Sequence, residues 1–349
     1  MRKNIFLSLL SGLLLILSFP KFNLEFLAWI GFVPLFFALN NKSAAQAFFL
    51  FFFTGIIFWS GIIYWLVHVT AIGTVLLIIY LALYFGIFGL AIRPCTRRST
   101  PYTLIFIPAL WVLLEYLRSH LLTGFPWALL GYSQYLNLPV IQIADITGVW
   151  GVSFLVMVVN VAIVEMPWSA KRGLISRLKI VVALLAIFLF LTLSYGYLRL
   201  SGRALSQARH LLRVAVIQGN IAQELKWDPV ARNYILDRYK QLTEQVAADN
   251  PDLVIWPEAS APGLLGEDDE VFQEIFGLSR KTKIPLLIGA VANDSQRYYN
   301  SVLLIEPSGE IANRYDKIHL VPFGEYIPLK KIFSFLETIV PIGDIEKGK

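Results

Sequence analysis

Seven apolar stretches, near residues 4–19, 24–39, 46–67, 72–92, 102–122, 148–166 and 178–198, follow one another through the first 200 residues of the chain. A helix needs about 20 apolar residues to cross the hydrocarbon of a bilayer, and in lipid each backbone polar group must find its partner inside the protein. These stretches therefore predict an α-helical membrane domain of about seven spans over residues 1–200. The first two are short, and Pro20-Lys21 between them suits a tilted pair or a tight hairpin. Arg2 and Lys3 followed by an apolar run to Phe19 resemble the start of a signal peptide, but Ser18-Phe19-Pro20-Lys21 offers no small-residue cleavage site, so the run is expected to remain as the first span.

Loop charges orient this domain. With a cytoplasmic N-terminus, inner segments hold Arg2, Lys3, Lys42, Arg93, Arg97, Arg98, Lys171, Arg172, Arg177 and Lys179, and outer loops before residue 199 hold only Lys21. Ten basic residues against one is a strong positive-inside bias. Everything after Arg199 is then expected outside, which in a bacterium means a periplasmic domain on the inner membrane. Only 15% of the chain is charged, against about 25% in globular proteins. Residues 1–200 carry a net +9 and residues 201–349 a net −3. The basic excess belongs to the membrane part, so the pI near 9.2 gives no reason to expect a nucleic-acid partner.

Three features of the membrane part invite a reading. Glu115 and Arg118, at i and i+3 in the fifth stretch, share one helix face. They form either a buried structural pair between spans or a contact to a lipid phosphate near the outer surface. The connection 123–147 is long, apolar and rich in Trp and Tyr, with no Lys or Arg. It is either an interfacial aromatic segment or a partly embedded element lining a lipid-accessible cavity. Cys95, the single cysteine, lies in the basic run Arg93-Pro94-Cys95-Thr96-Arg97-Arg98 on the inner side and is read as an incidental thiol.

From about residue 210 the pattern changes to strand-length apolar runs alternating with amphipathic helices. Strands are expected over 213–217 (RVAVI), 252–256 (DLVIW) and 285–291 (PLLIGAV), and helices over 229–248 and 268–283. Asp228-Pro229 supplies a cap and a first-turn proline, and Pro307-Ser308-Gly309 marks a hairpin between 298–306 and 310–315. A mixed sheet covered by helices follows. Two strings carry chemistry. Trp256-Pro257-Glu258-Ala259-Ser260 puts a carboxylate at the C-terminal end of a buried strand, where sites of α/β sheets collect. Partial desolvation there is expected to raise its pKa and make it a base near neutral pH. Tyr315-Asp316-Lys317-Ile318-His319-Leu320-Val321-Pro322-Phe323-Gly324-Glu325 puts a lysine after a strand, able to clamp an oxyanion. Each alone is also compatible with an ordinary surface charge.

Together, VIWPE (254–258) and YDKIHLVPFGEYIP (315–328), with VAVIQGNI (214–221), LKWDP (225–229) and YYNSVLLI (298–305), resemble the nitrilase, or carbon–nitrogen hydrolase, superfamily. Behind a set of membrane spans, these strings resemble the apolipoprotein N-acyltransferase family across essentially the whole chain. The resemblance implies a nitrilase-like αββα sandwich over 210–349. It implies Glu258 as general base, Lys317 as the residue that stabilises a tetrahedral oxyanion, and Glu325 as a supporting glutamate. It places Trp227 and Asn300 beside the substrate. It implies ping-pong transfer of an acyl chain from a phospholipid, through a cysteine thioester, to the amine of a diacylglyceryl-modified N-terminal cysteine of an apolipoprotein. No cofactor or metal is expected. The family's cysteine lies well beyond the lysine, and residues 318–349 contain none. The chain is therefore expected to be a C-terminally truncated copy with an incomplete sheet, inactive alone. Two alternatives stand beside this reading: another membrane-bound carbon–nitrogen hydrolase or amidase, and a non-catalytic remnant that binds lipid or lipoprotein.

Overall fold

A computed structural model describes residues 2–68, 71–97, 102–171, 175–201, 211–222, 225–226, 228–321, 325 and 345–349. The chain divides into two compact units, Met1–Gln207 and Ala208–Lys349. The first is built of α1 (Arg2–Leu17), α2 (Val33–Ala38), α3 (Ala44–Ile62), α4 (Ala71–Arg97), α5 (Thr103–His120), the short α6 (Leu138–Ile141), α7 (Ala144–Lys171) and α8 (Ile175–Leu200). Among the described residues, α3, α4, α7 and α8 contain stretches long and apolar enough to cross a membrane. α1 has 16 residues, and α5 carries Glu115 and Arg118. Close helix approach uses glycine where helices meet: a Cβ at Gly55 of α3 would lie 2.9 Å from the Ala82 backbone of α4, the small-residue packing that membrane helices favour.

The stretch 24–39 is not one continuous helix. A 3-10 turn, Glu25–Trp29, is followed by the six-residue α2, only about 9 Å long. Non-helical backbone inside a membrane protein needs partners from the protein itself, and neighbouring helices supply them. Asn160 of α7, fully buried, donates from Nδ2 to the Ala28 carbonyl at 2.8 Å and accepts the Phe32 amide on Oδ1 at 2.9 Å. Ser11 Oγ of α1 accepts the Leu35 amide at 2.9 Å. Gln134 accepts the Trp29 indole N–H and donates to the Glu25 carbonyl, each at 2.8 Å.

Glu115 and Arg118 are both buried, and their charges act on each other, while the direct bonds of each go to backbone. Arg118 Nη1 donates to the carbonyls of Phe125 and Trp127 at 2.7 and 2.8 Å, and its guanidinium stacks over Trp59 at 4.8 Å. Glu115 Oε1 accepts the Leu130 amide at 2.7 Å. The two charges fasten the connection after α5 to that helix, and no ion pair joins them among the described residues. This connection is partly ordered structure: a 3-10 turn, Leu130–Gln134, packs into the bundle with Leu130, Gly131, Ser133 and Gln134 buried. α7 begins at Ala144 and bends at Gly148, whose φ of +63° suits glycine.

The second unit has strands β1 (Val214–Val216), β2 (Leu253–Ile255), β3 (Leu264–Leu265), β4 (Leu286–Asp294), β5 (Arg297–Ile305) and β6 (Ile311–Asp316), with helices α9 (Arg232–Ala247) and α10 (Asp269–Thr282). The sheet order is β1-β2-β4-β5-β6, with β3 beside β4; β1, β2, β3 and β4 pair in parallel, and β4, β5 and β6 pair antiparallel. A 3-10 turn, Pro229–Ala231, leads into α9 and is capped by Asp228, whose side chain accepts the Val230 amide at 2.9 Å. α10 carries Asp269 and Glu270 in its first turn and Arg280 and Lys281 in its last, which complements its dipole. Both helices share one apolar core with the sheet, centred on Val254, Phe272, Ile275, Leu286, Ile288 and Leu303. The described residues thus form a two-layer, helix-on-sheet half of the expected sandwich.

Candidate active site

The chain leaves β2 through Trp256-Pro257-Glu258, and Trp256 fixes the exit. Its ring is buried and stacks on Tyr239 of α9 with centroids 4.9 Å apart, and its indole N–H donates to Thr243 Oγ1 at 2.9 Å. Pro257 and Glu258 then cross directly over Gly289 of β4. A Cβ at Gly289 would lie 2.4 Å from the Pro257 carbonyl oxygen and 2.6 Å from Glu258 Cα, so this crossing needs glycine. The turn closes with Ala259 at a φ of +47° and with the amides of Ser260 and Ala261 both donating to the Gly289 carbonyl. Glu258 is thereby held at the end of the sheet by backbone.

Asn300 lies on β5, and Lys317 follows β6. Their strands pair Ser301 with Asp316, and the Lys317 amide donates to the Asn300 carbonyl at 2.8 Å. Side chains lock this register. Asp316 Oδ1 accepts Ser301 Oγ at 2.6 Å and Arg314 Nε at 2.7 Å, while Arg314 also pairs with Asp294 at 3.1 Å. Glu325 reaches the same place: its amide donates to the Val321 carbonyl at 2.9 Å, and its Oε2 accepts the Val321 amide at 2.7 Å.

These elements bring four of the five sequence-predicted residues together. Lys317 Nζ stands 3.0 Å from Glu258 Oε1 and 3.0 Å from Glu325 Oε2. Asn300 Nδ2 bridges the same two carboxylates, donating to Glu258 Oε1 at 2.6 Å and to Glu325 Oε1 at 2.7 Å. Two donors and two carboxylates make a closed polar cluster. The fifth residue, Trp227, lies outside the described residues. Lys226, Gly289 and Ser260 were not singled out from the sequence. Lys226 adds a positive charge that acts on Glu258. The turn dipeptide and the strand glycine become meaningful only once β2 and β4 are paired.

The electrostatics correct one expectation. Burial was expected to raise the pKa of Glu258, but its side chain is 64% exposed. The hydrogen bond from Lys317 holds it below the usual carboxylate value, helped by Asn300 and by the charges of Lys317 and Lys226, and these outweigh the smaller desolvation. For Lys317, burial is the largest single influence and pulls downward, but the hydrogen bonds and charges of Glu258 and Glu325 together raise it above the usual lysine value. At neutral pH the cluster holds an ionised Glu258 beside an ammonium. An ionised carboxylate can take a proton, and an ammonium with three N–H donors can turn one toward a developing oxyanion. Among the described residues no group of three or more His, Cys, Asp or Glu forms a potential metal site.

Comparison with known proteins agrees with this division. The family described as apolipoprotein N-acyltransferase N-terminal domain matches residues 11–162, and the carbon-nitrogen hydrolase family matches residues 213–338. The apolipoprotein N-acyltransferase of Geobacter metallireducens is 41% identical over 99% of this chain and 69% of its own length. That of Pasteurella multocida is 30% identical over 100% of this chain and 70% of its own. Among solved structures, the carbon-nitrogen hydrolase of Helicobacter pylori G27 is similar at 22% identity and a TM-score of 0.28, covering 32% of this chain and 41% of that one. By the two matched regions and the identity with these relatives along its length, the chain belongs to the apolipoprotein N-acyltransferase family.

Proposed function

We propose that the second unit carries the base and the oxyanion clamp of an acyl transfer from a phospholipid to the N-terminal amine of a diacylglyceryl-modified apolipoprotein. The observation that carries this reading is Lys317 shared between Glu258 and Glu325, with Asn300 bridging the same carboxylates. In the reaction, Glu258 takes the proton of an attacking thiol and passes it to the lysophospholipid oxygen that leaves as the thioester forms; it later takes that of the incoming amine and passes it to the departing thiolate. As negative charge develops on the tetrahedral oxygen, Lys317 turns an N–H toward it. Glu325 holds the ammonium in place meanwhile, because its own carboxylate is fixed by the Val321 amide and is only 14% exposed. Asn300 keeps the two carboxylates apart in position while their like charges share one cation. Trp227, beside Lys226, would approach the lipid substrate.

Both substrates are anchored in a membrane, and the loop charges support a site facing the periplasm of a bacterial inner membrane. The thiol is the remaining part. The single cysteine of these residues, Cys95, belongs to α4 in the membrane unit, so residues 1–349 alone are expected to give no thioester with phospholipid.

The test joins residues 1–349 to the part of the Geobacter metallireducens relative that lies beyond the stretch matching this chain. In proteoliposomes this chimera is expected to transfer a labelled acyl chain from phospholipid to a diacylglyceryl-cysteine peptide. Hydrolysis of small amides with no transfer to the peptide would replace the proposal with an amidase reading.

A further inference from the structure

Lys317 sits at a fork in the sheet. β6 pairs with β5 as far as Ser301, and the Lys317 amide adds one last bond to the Asn300 carbonyl at 2.8 Å. Beyond that point the same edge of β5 is taken by another part of the chain. Ile345 pairs with Tyr298 in parallel, and the Glu346 amide donates to the Tyr298 carbonyl at 2.7 Å. Two residues on, the Gly348 amide donates to the Lys317 carbonyl at 3.0 Å. The peptide groups on both sides of the Lys317 Cα are therefore bonded, one to β5 and the other to this segment. Residue type matters at the second contact. Gly348 is buried, and a Cβ there would run into the Asp316 carbonyl, 2.8 Å from its carbon. Asp316 is not free to give way, because Ser301 Oγ and Arg314 Nε hold its side chain at 2.6 and 2.7 Å.

We propose that Gly348 is a positioning residue for Lys317: the segment Ile345–Lys349 clasps the lysine backbone, so that its ammonium stays between Glu258 and Glu325 during acyl transfer. The function given to the clasp rests on the acyl-transfer reading of the site, while the clasp itself belongs to the fold. The need for it follows from the side chain. A lysine ammonium ends a flexible four-carbon stem, and this one meets two carboxylates from different elements at 3.0 Å each. Such a stem returns to one point only when its Cα is fixed. Lys317 and Lys226 are the cations acting on Glu258, and Glu325 shares the Lys317 ammonium. If the Lys317 backbone drifts, the strongest influence that holds the Glu258 carboxyl down goes with it, and desolvation then raises that carboxyl.

The test introduces Gly348→Ala into residues 1–349 and into the chimera. In the 349-residue chain, the isotope-edited infrared titration of Glu258 is expected to move upward, toward the usual carboxylate value. In the chimera, kcat for acyl transfer is expected to fall by up to about 10²-fold, the cost of a displacement of about 1 Å. KM for phospholipid is expected to stay unchanged, and the acid limb of the pH profile to move up. Lys347→Ala, at an exposed neighbouring position, is expected to alter none of these. A folded Gly348→Ala chain that keeps the parent's Glu258 titration overturns the proposal. If the parent chimera transfers no acyl chain, the acyl-transfer reading fails, and the titration still decides the clasp. Hydrogen exchange on the unmodified chain needs no variant to fold. The Gly348 amide is expected to be protected, and exchange at the rate of an open chain overturns the proposal.

Discussion

At the level of single residues, Lys317 sets the charge state of the cluster. Its ammonium keeps Glu258 ionised below the usual carboxylate range. Lys317→Met is expected to raise the Glu258 pKa, because the largest lowering influence goes and desolvation remains. A carboxylate titration followed by isotope-edited infrared or NMR spectroscopy checks this; an unchanged or lower pKa would contradict it. The pH dependence follows. The contribution of Glu258 to stability is fully present above the usual carboxylate pKa of about 4.3 and fades as pH falls through its lower folded value. That of Lys317 is fully present below the usual lysine pKa of about 10.4 and fades as pH rises through its raised folded value. The pair is therefore intact across neutral pH. The two motifs were legible in the sequence because each is a short contiguous string. The sign of the Glu258 shift was not, because it depends on a partner 59 residues away and on an exposure that the string does not encode.

At the element scale, two positions hold backbone in places that regular structure does not explain. Gly289 lets Pro257 and Glu258 cross β4. Gly289→Ala is expected to push that turn away, destabilising the second unit by about 1–3 kcal/mol, the usual cost of overpacking, and loosening the Glu258–Lys317 contact. Chemical denaturation with the tryptophan signal measures the first effect. Asn160 serves the break between the 3-10 turn and α2. Asn160→Leu leaves the Phe32 amide and the Ala28 carbonyl without these partners, at about 1–3 kcal/mol for each buried group. A lowered melting temperature in detergent is expected, and an unchanged one would contradict the assignment. The sequence made 24–39 look like one more apolar helix, because apolar content alone does not separate a span from a broken segment sealed by a distant asparagine. Much of the second unit was readable: α9, α10 and the β5–β6 hairpin lie close to where periodicity and turn residues put them. The β4–β5 hairpin was not, since its turn residues Ser295 and Gln296 both take positive φ without glycine.

At the scale of the whole molecule, the two units divide the labour that the sequence suggested, with membrane helices in one and a polar cluster at the sheet end in the other. The loop charges predict that the second unit faces the periplasm. With Cys95→Ser as background, Gln273→Cys on the exposed side of α10 is expected to react with a membrane-impermeant maleimide added outside intact spheroplasts. Labelling only after lysis would reverse the topology. Glu258 and Lys317 are predicted to act in acyl transfer, and single-turnover acylation of the chimera by labelled phospholipid measures their part in it. Removal of a general base costs roughly 10²–10⁴-fold, and removal of an oxyanion donor roughly 10²–10³-fold. Glu258→Gln and Lys317→Met are each expected to slow thioester formation on that order while phospholipid binding persists; acylation in either variant at a rate close to that of the parent chimera would contradict the account.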